Sequence, residues 1–257
     1  MKTKILALVA VVTIALSSMA AAQTVNVGIA AEPYPPFTTL DSSGHWTGWE
    51  IDLMDAICKD QKLNCEIKSV SWDGIIPALN SGQIDVIFSS MSITAERAKV
   101  IDFSNKYYET PVAVIAPKDA SFEATHKGME GLTIGIQVGS TNTTYAQKFF
   151  SKTATLKSYQ TQDQADQDLA SGRIDATFAD QFALESFLET EQGKSCCKMI
   201  GMLPYDTETL GTGIGAAFRK GDANLREKFN SGIANVRASG EYDSITKKYF
   251  NFNIYGK

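Results

Sequence analysis

A twelve-residue pattern occurs twice in the chain, at an offset of 90 residues. Residues 79–90 match residues 169–180 at six of twelve positions, including a leucine and a phenylalanine. In both copies a helix is predicted to end at Ser-Gly, and a buried strand then runs to a polar residue, Ser90 or Asp180. Two copies of one unit predict two α/β lobes of similar build. The alternative is that Ser-Gly-x-Ile-Asp is a common helix-to-strand turn that recurs by chance, but the matched leucine and phenylalanine favour the repeat.

Short apolar runs alternate with helix-like segments, which predicts an α/β fold. The predicted strands include residues 25–29, 84–88, 134–136 and 174–178. The predicted helices are residues 50–59, 74–80 capped by Asp73, 95–100 capped by Thr94, 143–150, 162–170 and two near the C-terminus. Ligands of open α/β sheets bind beyond the carboxyl ends of the strands. We therefore expect binding groups after Phe88 and Phe178, in a cleft where the two lobes face each other.

Residues 1–22 have the pattern of a cleavable secretory signal, with Lys2 and Lys4 ahead of an apolar run and small residues up to Ala22. The alternative is a membrane anchor, but this run is shorter than the roughly 20 residues that a spanning helix needs. Without the leader, the 24 Lys and Arg fall to 22 against 29 Asp and Glu, a net charge of −7. This charge argues against nucleic acid or anionic membrane as a partner.

The four cysteines of an exported chain are compatible with disulfides. Cys58 and Cys65 bracket a polar link between a helix-like and a strand-like segment, so a short-loop bridge is expected there. Cys196 and Cys197 are adjacent, and their α-carbons lie about 3.8 Å apart, closer than relaxed disulfide geometry allows. Free thiols and a strained bridge between neighbours both remain open for this pair.

Two segments are candidates for binding a carboxylate. Ser89, Ser90 and Ser92 lie at a predicted strand end, and Arg97 follows on a capped helix, where an arginine can clamp a carboxylate bidentately. The alternative for Arg97 is a surface arginine paired with Glu96 or solvent, but the serine cluster favours binding.

The second segment, residues 139–144, opens a helix directly after a strand, so unpaired backbone amides beside Ser140, Thr141 and Asn142 can bind an anion. It lacks the Gly-Lys-Ser/Thr ending of a phosphate loop, so a carboxylate fits better. Ordinary Ser/Thr capping is the alternative reading.

Two aromatic residues lie beside predicted strand ends: Tyr34, flanked by prolines, and Trp72. Each alone is more typical of a core. Together with Arg97 and the acidic Asp180 they suit a zwitterion whose side chain is held between two rings.

Signals for catalysis are poor. The two histidines, His45 and His126, have no nucleophile motif nearby, no Cys/His spacing suggests a metal site, and the glycines at 211–215 lack a dinucleotide-loop context. We therefore expect a protein without enzyme activity, metal or cofactor.

The sequence resembles the periplasmic solute-binding proteins of ABC transporters for polar amino acids, close to the lysine/arginine/ornithine and histidine receptors. The likeness covers nearly the whole mature chain. The segments that carry it are Tyr-Pro-Pro-Phe at 34–37, Gly-Trp-Glu-Ile-Asp-Leu at 48–53, Trp-Asp-Gly-Ile-Ile-Pro at 72–77, residues 84–97, Ser-Gly-Arg-Ile-Asp at 171–175 and Lys-Lys-Tyr-Phe at 247–250.

The resemblance implies a two-lobed α/β fold, the type II periplasmic binding protein, with a two-strand hinge and a ligand cleft between the lobes. After the signal at 1–22, we expect lobe 1 over 23–110 and 211–257 and lobe 2 over 111–210. It also implies a periplasmic monomer that closes on an amino acid and delivers it to an ABC transporter permease in the inner membrane.

By the same resemblance, Arg97 with the backbone amides of Ser92 and Thr141 would hold the α-carboxylate of the ligand. Asp180, the Ser92 hydroxyl and the Ser90 carbonyl would hold the α-ammonium.

The side chain of the ligand would lie between Tyr34 and Trp72. Ser89, Gln137 and Asn142 match positions that line the far end of the pocket, and Cys58 with Cys65 matches the short disulfide of the family.

The sequence departs from receptors for cationic amino acids at three places. Those receptors carry an aspartate shortly before the tyrosine. This chain has Ala31 and Glu32 there, and it has one residue more between Gly28 and Tyr34. Gln137 replaces an apolar residue, and Trp72 is bulkier than the usual leucine or phenylalanine. We expect a cationic amino acid (arginine, lysine, ornithine or histidine); the alternatives are a glutamine- or opine-type ligand, or an exported enzyme similar to cyclohexadienyl dehydratase.

Overall fold

The computed structural model describes residues 24–256. Its strands are β1 (Thr24–Ala30), β2 (Thr39–Leu40), β3 (Trp46–Thr47), β4 (Asn64–Val70), β5 (Val86–Ile87), β6 (Ile101–Tyr108), β7 (Val112–Pro117), β8 (Thr133–Gln137), β9 (Thr155–Tyr159), β10 (Ala176–Asp180), β11 (Cys197–Met202) and β12 (Ile214–Arg219). Its α-helices are α1 (Trp49–Asp60), α2 (Ile75–Ser81), α3 (Thr141–Phe149), α4 (Gln162–Ala170), α5 (Gln181–Glu189), α6 (Glu191–Cys196), α7 (Thr207–Leu210), α8 (Ala223–Ala238) and α9 (Glu241–Tyr249).

Two five-stranded mixed sheets form the two lobes. The first has the order β4-β1-β5-β12-β6 and the second β11-β7-β10-β8-β9. In the first, β1 is parallel to β4 and β5, whereas β12 is antiparallel to β5 and β6. Because β12 returns to the first sheet after the whole second sheet is complete, the chain passes twice between the lobes. The predicted two-lobed α/β class is confirmed, and the predicted boundaries at 110 and 211 fall in the segments before β7 and β12.

The sequence repeat corresponds to one packing unit in each lobe. Gly82 and Gly172 both have the left-handed backbone that ends a helix, with φ of 81° and 69°. The aspartate that follows each of them accepts a hydrogen bond from a backbone N–H near the start of a parallel strand: Asp85 from Asn26 at 2.9 Å and Asp175 from Thr133 at 2.7 Å. The shared Ser-Gly-x-Ile-Asp pattern therefore fixes how each helix returns to its sheet.

The repeated isoleucine explains a glycine in each parallel strand. A Cβ on Gly28 of β1 would lie 2.2 Å from Ile84, and one on Gly135 of β8 would lie 2.5 Å from Ile174. Each isoleucine thus packs directly on the backbone of the neighbouring strand, and both isoleucines are buried. The two lobes therefore pack the repeated isoleucine on a strand glycine in the same way, as the repeat predicts.

Each lobe has its own apolar core, and Phe182 of α5 in the second lobe also packs against the core of the first. In the first, Trp49 and Tyr108 are fully buried with the faces of α1, α8 and α9, and the Trp49 Nε1 donates to Thr246 Oγ1 at 3.1 Å. In the second, Tyr145 and Phe178 are fully buried. Because the apolar residues are buried inside the lobes, the polar strand ends face the cleft between them.

Three local predictions are wrong in detail. The helix expected at 95–100 is a short 3₁₀ helix, Arg97–Lys99, although Thr94 does accept from the Arg97 N–H as predicted, at 3.2 Å. Asp73 caps no helix, because it lies inside a 3₁₀ helix, Trp72–Gly74, that runs directly into α2. The strand expected at 84–88 is reduced to the two residues of β5.

Both cysteine pairs are bonded. Cys58 and Cys65 form the expected bridge, with their α-carbons 6.2 Å apart. Cys196 and Cys197, left open by the sequence, are joined to each other. The predicted signal at 1–22 lies outside the described residues, and among residues 24–256 no helix has the length and apolar character to cross a membrane.

Candidate functional site

A cavity lies between the two lobes, at the carboxyl ends of β1, β5, β8 and β10. All twelve residues proposed from the sequence line it: Glu32, Tyr34, Trp72, Ser89, Ser90, Ser92, Arg97, Gln137, Ser140, Thr141, Asn142 and Asp180. Their individual roles toward a ligand stay predictions. The cavity also takes in residues that the sequence did not single out: Ala30, Pro33, Thr161, Gln162 and Asp163.

Arg97 lies at the boundary between the lobes. Its Nη1 donates to the Ser92 carbonyl at 3.0 Å in its own lobe, and its Nη2 donates to the Gly139 carbonyl of the other lobe at 3.1 Å. The guanidinium carbon lies 5.5 Å from the centre of the Trp72 ring. Burial lowers the pKa of Arg97 to about 10, although the negative charge of Asp180 opposes this shift. The guanidinium therefore stays protonated at neutral pH. With two of five N–H donors used, the guanidinium retains donors for a carboxylate.

Asp180 ends β10 in the second lobe and contributes a carboxylate to the same cavity. Burial raises its pKa to about 7; a hydrogen bond from Tyr34 and the charge of Arg97 oppose that rise, and the charge of Glu50 adds to it. A cationic partner would strongly stabilise the ionised form of a carboxylate that is partly removed from water in this way.

Glu50, buried in α1, shapes the wall of the cavity without lining it. Its carboxylate accepts from the backbone N–H of Ser90 at 2.7 Å, from the Ser90 hydroxyl at 3.0 Å and from the Tyr107 hydroxyl. These bonds hold Ser90 at φ 50°, a conformation that residues other than glycine rarely adopt. Burial raises the pKa of Glu50 to about 6.

The N-terminus of α3 opens onto the cavity as predicted. The Ser140 hydroxyl donates to the Gln137 carbonyl at 2.6 Å and accepts from the Thr143 N–H at 3.4 Å. The N–H groups of Thr141 and Asn142, in the first turn, have no partner inside the helix. They are placed to receive an anion.

Four polar atoms of cavity residues are buried and have no hydrogen-bond partner among the described residues: Glu32 Oε2, Trp72 Nε1, Asn142 Oδ1 and Gln162 Oε1. Three of these atoms are acceptors. Buried acceptors without partners are costly unless a bound molecule or water supplies donors.

Comparison with known proteins decides the family. The family model described as bacterial extracellular solute-binding proteins, family 3, matches residues 25–252. The chain belongs to this family.

Two curated relatives of this solute-binding protein match it over almost their whole length. It is 38% identical to the L-arginine-binding protein of Pseudomonas aeruginosa, over 99% of this chain and 98% of the relative. It is also 38% identical to the lysine/arginine/ornithine-binding periplasmic protein of Escherichia coli, over 100% of both chains. Among solved structures, an ancestral arginine-binding protein bound to arginine superposes with a TM-score of 0.80 at 34% identity, covering 89% of this chain and 98% of the other. The resemblance stated from the sequence motifs is therefore confirmed.

Gln162, one of the five cavity residues that sequence reasoning missed, lies where the repeat would have placed it. Extended backwards at the same offset of 90, the repeat aligns Trp72 with Gln162 and Asp73 with Asp163. The ring of Trp72 marks it as a candidate in the sequence, whereas Gln162 carries no such signal. The internal symmetry of this solute-binding protein was the available clue, because equivalent positions of the two lobes face the same cleft.

Proposed function

We propose that this protein binds an α-amino acid with a cationic side chain in the periplasm and delivers it to the permease of an ABC importer. The observation that carries the proposal is one cavity that contains both Arg97, a cation with free donors, and Asp180, a partly buried carboxylate. Together they complement the two charges of an amino-acid zwitterion. The backbone amides at the start of α3 would add to the carboxylate side.

The far end of the cavity favours a positive side chain. Glu32 contributes a carboxylate with one buried oxygen that has no partner within residues 24–256, and Asn142 adds a second acceptor. Tyr34 and Trp72 supply ring surfaces for the aliphatic part of the ligand and for cation–π contact. Arginine, lysine and ornithine match this arrangement, in agreement with the ligands named for the curated relatives.

The contacts across the cleft support a closure mechanism. Arg97 of the first lobe reaches the Gly139 carbonyl of the second, and Tyr34 of the first lobe lies close enough to Asp180 of the second to oppose the rise in the pKa of that carboxyl. A ligand that contacts both walls would stabilise the closed arrangement over the open one, because only there are all its contacts made. The permease would then read the closed form, without covalent chemistry.

The alternatives are less well supported. A ligand with an additional carboxylate would place that charge near Glu32 and Asp163, and repulsion disfavours it. For a dehydratase, the raised pKa of Asp180 is the one supporting observation, since a general acid needs a proton near neutral pH. A ligand ammonium beside Asp180 would remove that proton, and we therefore propose binding rather than catalysis.

A thermal-shift series tests the proposal. Protein that has been unfolded and refolded to remove bound ligand is heated with arginine, lysine, ornithine, histidine, glutamine or octopine. A ligand of the folded state must raise the Tm. We expect large shifts for the cationic set and their loss in Asp180→Asn, with Asp119→Asn, at an exposed position, as the matched control. Shifts with glutamine or octopine alone would contradict the cationic assignment, and no shift with any of them would refute amino-acid binding.

A further inference from the structure

Gln162 presents its carbonyl oxygen, and not its amide nitrogen, to the cavity. Its Nε2 donates to Asp166 Oδ1 at 2.9 Å and to Thr177 Oγ1 at 3.1 Å. The Thr177 hydroxyl in turn donates to the Gly135 carbonyl at 2.9 Å, so it can only accept from Gln162. Turning the amide over would place Oε1 against two acceptors. The orientation is therefore fixed from behind.

The free end of this amide is buried and unpaired. Gln162 is only 6% exposed, and its Oε1 has no partner among the described residues. Asp166 and Thr177 are 5% and 0% exposed, and neither lines the cavity. Asp166 and Thr177 thus form a buried support that leaves Gln162 Oε1 without a partner among the described residues.

We propose that Gln162 is a specificity-determining residue, and that Asp166 and Thr177 are positioning residues that keep its carbonyl toward the ligand. The proposal rests on the proposed function, because it assigns the selectivity of the same site. With Glu32 Oε2 and Asn142 Oδ1, the Gln162 carbonyl forms a set of three buried acceptors that have no partner among the described residues, against one such donor in the cavity, Trp72 Nε1. Such a set accepts a side chain that ends only in N–H groups and rejects one of the same shape that carries an oxygen.

Arginine and citrulline form the matching pair of probes. Citrulline has the length and planar end of arginine, but one terminal nitrogen is replaced by a carbonyl oxygen and the charge is lost. In this cavity that oxygen would face acceptors. At pH 8, where Asp166 is an acceptor, we expect the wild-type protein to bind arginine at least about 100-fold more tightly than citrulline in calorimetric titration.

Asp166→Asn separates positioning from simple electrostatics. Asparagine can donate to Gln162 Oε1, which releases the amide to turn its nitrogen toward the cavity. We expect citrulline to bind at least about fivefold more tightly than to wild type, and arginine less tightly. If Asp166 acted only through its charge, its loss would weaken the binding of arginine and leave the binding of neutral citrulline unchanged. Asp119→Asn and Gln147→Met, at exposed positions, are the matched controls.

The double variant Gln162→Met with Asp166→Asn completes the cycle. Because the effect of Asp166 acts through Gln162, the gain in citrulline binding should vanish in the Gln162→Met background. A gain that persists there, or an unchanged citrulline affinity in Asp166→Asn, would overturn the proposal. If Asp166→Asn does not fold, Thr177→Val removes the other anchor and should raise citrulline affinity in the same direction. Failure of wild-type protein to bind arginine or lysine at all would instead refute the proposed function, and this inference with it.

Discussion

Arginine binding should weaken as the pH falls from 8 to 6, because Asp180 must be ionised to pair with the ligand. In the structure the pKa of Asp180 is raised to about 7, chiefly by burial. An α-ammonium beside it would stabilise the carboxylate and hold the pKa low in the complex. Since the free site then binds more protons than the complex, protons compete with the ligand below pH 7, and affinity must fall with pH.

The size of the effect follows from that pKa. For ligand-free protein in the arrangement described here, with a pKa of Asp180 of about 7 and a much lower one in the complex, affinity should fall about tenfold between pH 8 and pH 6 and about tenfold again by pH 5. Binding at pH 7 should release about half a proton per ligand. Titration calorimetry in buffers of different ionisation enthalpy measures both quantities.

A ligand without the ammonium is the decisive control. Glu50 and Asp166 also have raised pKa values, of about 6 and 7, although neither lines the cavity. The 2-hydroxy analogue of arginine keeps the guanidinium and the carboxylate, so it senses those two groups but cannot deprotonate Asp180. It should bind more weakly and lose the pH dependence. The reasoning would be refuted if the affinity for arginine changed by less than about twofold between pH 8 and pH 6, or if both ligands showed the same pH dependence.

Three further outcomes are expected. Arg97→Lys should weaken arginine binding about 10- to 100-fold in calorimetry, because one ammonium cannot replace the guanidinium fork, whereas Arg173→Lys, exposed and paired outside the cavity, should not. Glu50→Ala should lower the free energy of unfolding by about 2 to 4 kcal/mol in urea titration, since it leaves buried donors unpaired; a change below about 1 kcal/mol would contradict the supporting role. Replacing Cys58 and Cys65 with serine should lower the free energy of unfolding by about 2 to 3 kcal/mol in the same urea titration, as expected for so short a loop, and an unchanged value would argue against the bridge.

Local sequence features determined the class of fold and most of the cleft. Apolar periodicity predicted the alternating strands and helices, and the repeat predicted two similar lobes. The rule that ligands bind at strand carboxyl ends then pointed to Ser90 and Asp180, which do line one cavity. These inferences succeed because helix caps, buried strands and parallel pairing depend on residues close together in the chain.

The tertiary structure alone decided how the two lobes combine. The Arg97 bond to the Gly139 carbonyl, 42 residues away, and the Gln162 bond to Thr177, 15 residues away, each join different elements, and the raised pKa of Asp180 comes from burial in the assembled cleft. The glutamine has no sequence signal of its own, since its orientation comes from Asp166 and Thr177 behind it. Sequence thus determined which groups reach the cleft, whereas hydration, hydrogen-bond direction and charge inside it arise only once the two lobes meet, because burial is a property of the assembled fold.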